Sequence, residues 1–340
     1  YRMEYGACFE KDSDGFFKRT LIESCVISND NLSLLLNSLP YQNITEDELL
    51  FSACIIGNQS KRYAFGIDTA SQVDNFSIVI LELYPTFRKI VYCWTFNKAK
   101  HKQLIKTGRI KENNFYAYCA RKIRDLMKSF PPLNISLDTQ GGGYAVIEAL
   151  NDKDKMETQE LPIYPVIRKD KQQDTDMLSG LHILYPCQFA DNAWLGEANH
   201  GLKKDMEDRI LLFPLLDSVT LSVVGEEDEK LGRDYDTLED CVWEIEELKD
   251  ELSTIVHTQT INGRDRWDTP EEKLPGGKKG RQRKDRYSAL LMANWGARFH
   301  HQVQHVTIDA YTYLNNNLTN STYVGPDWFV KGMNDFIESL

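Results

Sequence analysis

From residue 61 the apolar positions fall into short runs dense in β-branched and aromatic residues. Tyr63-Ala64-Phe65-Gly66-Ile67-Asp68, Phe76 to Tyr84 and Lys89 to Phe96 are three such runs, with a turn at Pro85-Thr86 before the third. They predict an antiparallel three-stranded meander. The period then changes. Phe115, Cys119, Ile123 and Leu126 recur at helical spacing and predict a helix over roughly 112–130, ended by Pro131-Pro132. Leu133 to Asp138 predicts a fourth strand. Gly141-Gly142-Gly143 breaks into a helix carrying Ala145, Val146, Ala149 and Leu150, and Leu161 to Ile167 predicts a fifth strand.

Further on, Leu238, Cys241, Ile245, Leu248, Leu252 and Ile255 are spaced as one stripe of a long amphipathic helix over 237–256, with an acidic outer face. Such a helix either packs its stripe on the core or pairs with a partner helix. Thr258 to Asp268, with Asn262-Gly263 at its centre, predicts a β-hairpin. A last helix with Leu290, Leu291 and Ala297 is expected over about 285–299. The strand and helix order βββαβαβα predicts an α/β, ribonuclease H-like fold: a mixed β-sheet flanked by helices, with the hairpin and the acidic helix added. Residues 1–60, with short helical pieces around Leu32–Leu36 and Leu49–Phe51, read as a lead-in segment. Residues 61–300 form the main domain and 301–340 a polar C-terminal tail.

The net charge of −11 argues at first against a nucleic-acid partner. Its distribution removes the objection. Residues 226–251 hold 13 acids and 3 bases, so the rest of the chain is close to neutral. Within that rest, Lys278, Lys279, Arg281, Arg283, Lys284 and Arg286 crowd into nine positions with one acid among them. The seven cysteines form no CxxC pair and read as reduced thiols of a cytosolic protein. Sequons at Asn75 and Asn134 fall beside expected buried strands and read as chance products of an Asn-rich composition. No apolar run approaches the ~20 residues of a membrane span, no secretory signal opens the chain, and the absence of an initiator Met suggests a fragment of a longer protein.

Three carboxylates stand where such a fold would gather them. Asp68 ends the first strand and Asp138 the fourth, which are parallel neighbours in this topology, and Asp285 begins the last helix. Each alone could cap a turn or a helix. Together they would repel one another unless a cation intervened. Hard oxygen ligands on strand ends suit Mg²⁺ or Mn²⁺, and two such ions would serve phosphodiester hydrolysis. Asp74, just before the second strand, is a candidate additional ligand or supporting group. Gly141, Gly142 and Gly143 lack the Lys-Ser/Thr of a P-loop; they either let a DNA backbone approach closely or simply turn the chain. The basic run, Lys278 to Arg286, would neutralise phosphates beside Asp285, or is a solvated loop. His301 and His305 stand at i, i+4 with no third ligand nearby, and read as surface or core residues.

Phe65-Gly66-Ile67-Asp68-Thr69-Ala70, Leu137-Asp138-Thr139-Gln140-Gly141-Gly142-Gly143 and Lys284-Asp285-Arg286-Tyr287-Ser288-Ala289-Leu290-Leu291 resemble the three nuclease motifs of large terminase subunits from tailed double-stranded DNA bacteriophages. Glu4-Tyr5-Gly6-Ala7-Cys8-Phe9 is similar to the segment that joins the ATPase motor to the nuclease in that family. The resemblance implies an endonuclease that cuts concatemeric viral DNA in the host cytoplasm, at the procapsid portal. It implies Asp68, Asp138 and Asp285 as metal ligands, with Asp74 matching an acid some members carry, and the portal protein and small terminase subunit as partners. The ATPase is absent, so no packaging is expected of this chain alone. Two other readings stay open: a resolvase or transposase type of ribonuclease H-like nuclease, and a non-catalytic module docking on DNA or portal.

Overall fold

The computed structural model describes residues 15–37, 44–69, 75–166, 179–233, 235–260, 263–273 and 279–298. Glu4–Phe9, Asp74, Asn262, Lys278 and all of 301–340, including His301 and His305, lie outside the described residues. The strands are β1 (Arg62–Asp68), β2 (Phe76–Leu83), β3 (Arg88–Phe96), β4 (Pro132–Asp138), β5 (Ile163–Pro165), β6 (Leu181–Cys187) and β7 (Leu211–Leu212), forming one sheet in the order β5-β6-β4-β1-β2-β3-β7. β1, β2 and β3 are the expected antiparallel meander, and β4 lies parallel to β1 with Ser136 opposite Gly66. This mixed sheet flanked by helices is the expected ribonuclease H-like arrangement.

The expected fifth strand is present but short, as β5 at the sheet edge, and β6, which lies between it and β4, was not expected. β6 escapes the sequence pattern because it is half-exposed and carries Pro186. That proline is tolerated although the strand is internal, because the β5 pairing ends at Leu184, so among the described residues the side of β6 that Pro186 would bond has no partner strand there.

The helices are α1 (Arg19–Ser24), α2 (Asn29–Leu36), α3 (Glu46–Leu49), α4 (Lys98–Lys106), α5 (Phe115–Ser129), α6 (Gly143–Asn151), α7 (Asn192–Glu207), α8 (Ser218–Lys230), α9 (Leu238–Thr254) and α10 (285–298). α5 covers one sheet face through aromatic contacts such as Phe96–Phe115 at 6.0 Å. α9 and α10 cover the other, since Glu244 of α9 takes the Thr95 hydroxyl and α10 lies over Gly66. With helices on both faces, β1 is buried almost throughout, which is why its sequence reads as an unbroken apolar run. Phe17, Ile22, Cys25 and Val26 add to the same core. The hairpin is present as β8 (Val256–Gln259) against β9 (Asp265–Asp268). A second ribbon, β10 (Glu271–Lys273) with β11 (Lys279–Arg281), follows it. All six described cysteines are free. Asn75 and Asn134 are buried, at 6% and 1% exposed, where no glycan could be accommodated.

Candidate active site

The sheet face under α10 is built from small and polar side chains. Ala64, Gly66 and Asp68 alternate along β1, with Asn134 and Ser136 opposite them on β4. A methyl group on Gly66 would lie 1.9 Å from the Ala289 carbonyl oxygen, and one on Gly296 would lie 2.1 Å from the Asn134 amide. The helix therefore sits directly on the strands, and its first residue, Asp285, is carried to the sheet edge where β1 and β4 end. Gly66→Ala is expected to cost about 1–3 kcal/mol by overpacking and to weaken any activity that needs Asp285 in register; thermal unfolding measured beside activity at a permissive temperature checks both.

Asp68, Asp138 and Asp285 line one cavity of about 460 Å³, together with Thr69, Gln140, Gly141, Phe189 and Ser288. Each acid is held in place. The Gln140 N–H donates to Asp138 (3.0 Å), and the Asn75 N–H donates to Asp285 (2.9 Å). The Thr69 hydroxyl donates to the Asp138 and Gln140 carbonyls, tying the two strand ends together. Burial, and after it the charges of Asp285 and Asp138, holds the Asp68 carboxyl well above its usual range; a Ser288 hydrogen bond and the Lys284 charge pull the other way. Burial also raises the Asp138 carboxyl, against the Gln140 N–H.

Asp285 opens a helix whose preceding residue, Lys284, has no acceptor side chain to cap it. The cap comes from α9. Glu251 accepts from the Tyr287 N–H (3.0 Å) and from Arg286 (2.6 Å), while Glu244 takes the other side of Arg286 (2.6 Å). Burial pushes the Glu251 carboxyl up to about 7, with Arg286 and the Tyr287 N–H opposing. The acidic helix is thus not acidic on its outer face alone. Its apolar stripe packs on the core, with Leu248 and Leu252 fully buried, and two inward glutamates brace the start of α10. The helical period places both beside the apolar stripe, Glu244 three residues after Cys241 and Glu251 three after Leu248, but it does not name Arg286 or Tyr287 as their partners.

The basic run is divided. Arg283 and Lys284 line the cavity. Arg283 donates to the Asn75 side chain (2.9 Å), and Lys284 pairs with Asp268 (3.1 Å). Arg286 is committed to the two glutamates, away from the cavity lining. Lys279 and Arg281 lie on β11, and Lys278 and Asp74 are outside the described residues. Of the three glycines, Gly141 lines the cavity with a left-handed φ of 62°. A methyl on Gly142 would strike the Tyr116 ring and one on Gly143 the Asp138 carbonyl, so those two answer to packing within the chain. Thr69, Gln140 and Ser288 fall inside the three motifs but were given no role of their own, and Phe189 and Asp268 carry no local signal.

Among the described residues, no three His, Cys, Asp or Glu side chains stand close enough together to close on one ion. The donor set still fits a hard divalent cation. It consists of three carboxylates around one cavity, with Asp138 and Asp285 at 8% and 7% exposed and Asp68 bearing a repulsion that a cation would cancel.

No protein-family model matches the chain, and no curated protein sequence does. Among solved structures the chain is similar to large terminase nucleases from several phages. The large terminase nuclease from thermophilic phage G20c with bound cobalt is 13% identical, with a TM-score of 0.44, covering 83% of this chain and 96% of that one. The Thermus phage P74-26 large terminase nuclease domain is 12% identical at a TM-score of 0.40, covering 72% and 88%. The HK97 bacteriophage large terminase is 12% identical at 0.41, covering 83% of this chain and 43% of that protein. At these values the likeness carries no argument about the site, which stands on this chain's own residues.

Proposed function

We propose that this chain is the metal-dependent endonuclease of a phage DNA-packaging terminase, cutting concatemeric double-stranded DNA by two-metal phosphodiester hydrolysis. The observation that carries the reading is the convergence of Asp68, Asp138 and Asp285, from three separate elements, on one cavity that Arg283 and Lys284 also line. The three acids would hold Mg²⁺ or Mn²⁺, with Asp74 as a further ligand. Bound there, such ions supply the charge that activates a water and offsets the charge growing on the departing oxygen. The chain's own part is to fix the acids. The Gln140 and Asn75 N–H groups orient Asp138 and Asp285, and the two α9 glutamates keep the first turn of α10 from shifting. The portal protein and the small terminase subunit are the proposed partners, in the host cytoplasm at the procapsid portal.

The test is cleavage of supercoiled plasmid with Mg²⁺, Mn²⁺ or EDTA, beside a four-way junction of equal length. Metal-dependent nicking and linearisation of plasmid supports the reading. Preference for the junction moves the chain to a resolvase, and duplex binding without cleavage in either metal makes it a docking module. Replacing Lys278, Lys279, Arg281 and Arg283 by Ala is expected to weaken duplex binding and to flatten its salt dependence, by about 0.9 in log–log slope for each phosphate no longer neutralised. A salt titration of binding in EDTA checks this, and an unchanged slope would remove that run from the DNA path.

A further inference from the structure

A second basic surface lies elsewhere in the chain. Between 98 and 111 there are six bases and no acid: Lys98, Lys100, Lys102, Lys106, Arg109 and Lys111. They occupy α4 and the turn after it. α4 buries only His101 and Leu104 and leaves Lys100, Lys102 and Lys106 in solvent, with Arg109 and Lys111 exposed beyond its end. Among the described residues, none of Lys98, Lys100, Lys102, Lys106 and Lys111 comes within ion-pair distance of a carboxylate. Holding so many like charges together costs self-repulsion, which an ion pair to these lysines would have offset.

The surface is tied to the cavity at its first turn. Asn97, which caps α4, donates through its side-chain amide to the Asn75 side chain (3.2 Å), and Asn75 in turn holds Asp285. Lys98 lies over the Tyr116 ring (5.2 Å), and that ring abuts Gly142 beside the cavity. Tyr144, on the first turn of α6, is 62% exposed. The cavity therefore has Arg283 and Lys284 in its lining and, through Asn75 and Tyr116, connects to the start of a lysine-rich cationic helix. Resting on the nuclease reading above, we propose that α4 and its following turn bind the phosphate backbone of duplex DNA and lead it to the cavity. α4 would be a second contact, separate from the basic run near Asp285. Its nine residues span about 13 Å, and duplex DNA carries a charge every ~1.7 Å of its axis, so several lysines can engage one groove edge at once.

The experiment is a salt titration of binding to a 5′-labelled duplex of about 30 base pairs, by fluorescence anisotropy in EDTA so that nothing is cut. Wild type is compared with the quadruple variant K100A/K102A/K106A/K111A and with K153A/K155A, whose lysines are exposed on the 3-10 turn Lys153–Lys155 that follows the far end of α6. The expected result is a log–log salt slope shallower by about 2–4 in the quadruple variant, with Kd raised at least about tenfold near 0.1 M salt, and no change in slope for the Lys153/Lys155 control. Equal slopes for wild type and the quadruple variant would overturn the proposal while leaving the nuclease reading intact. An equal fall in slope per lysine in the control would also overturn it, by showing a general effect of net charge. Wild-type protein that binds no duplex at any salt would sink the nuclease reading, and this proposal with it.

Discussion

Asp138→Asn is expected to lower metal-dependent plasmid cleavage by about 10³-fold or more, on the scale of the several kcal/mol that a correctly held catalytic cation supplies. The substitution keeps the volume and the acceptor for the Gln140 N–H, so the strand end should stay in place while the charge is lost. Duplex binding in EDTA should persist or tighten, because a negative charge leaves a surface that phosphates approach. Stability separates this from simple unfolding. Burial and the neighbouring acids raise the Asp68 carboxyl, so its protonated form favours the folded state. That contribution is present at low pH and is lost as pH rises through the folded value. In EDTA at neutral pH, Asp138→Asn should therefore melt at or above the wild-type temperature. Mn²⁺ should raise the melting temperature of wild type, more at neutral than at acid pH, and do so far less in the variant. A variant that cuts normally, or that fails to cut only because it has unfolded, contradicts the role given to Asp138.

The largest structural loss is expected at Asp205→Ala, about 3–5 kcal/mol. Asp205 is 2% exposed on α7 and accepts from Arg88 of β3 (3.1 Å), from Asn294 of α10 (2.8 Å) and from Arg298 of α10. Arg88 also donates to the Asn294 side chain (2.7 Å). Truncation would leave Arg88, 3% exposed, without its counter-charge in a place water does not reach. In a domain of this size the loss corresponds to roughly 10 °C in melting temperature. Because the network fastens the second half of α10, activity should fall with stability in this variant. At Asp138 the two should part. Differential scanning calorimetry beside plasmid cleavage distinguishes the two patterns.

The sheet's centre was readable in the sequence because β1 to β3 are covered on both faces, so their apolar runs are nearly continuous, while Leu133, Ile135 and Leu137 of β4 alternate with Asn134 and Ser136; the ends are marked by Asp68, Pro85, Pro131 and Asp138. What failed lay where burial is partial. α7 carries Gly196 and Gly201 and so reads poorly as a helix, although Gly201 lets Arg298 reach across to it. β6 alternates irregularly and has a proline. α4 was missed because lysines outnumber apolar residues along it, which hid a helix and a charged surface at once. For the site, the three acids could be named from their places in the topology. Their supports could not. Glu244 and Glu251 flank the apolar stripe of α9 by period, yet nothing in it names Arg286 and Tyr287 as what they hold, and Asn75 acts on Asp285 through its main chain, which no side-chain pattern records.

The seating of α10 also sets a timetable. Asn75 and the carboxylate it holds are 210 positions apart, a stretch the ribosome needs roughly 10–40 s to translate. Until α10 arrives, the Ala64–Gly66 face of the sheet has nothing to pack against it, and the other two acids wait without the third. On the proposed reading, a nascent chain would build most of its sheet while still harmless to any DNA around it. Competence to cut would be one of the last properties acquired, switched on by a single long-range docking event rather than growing in step with the fold.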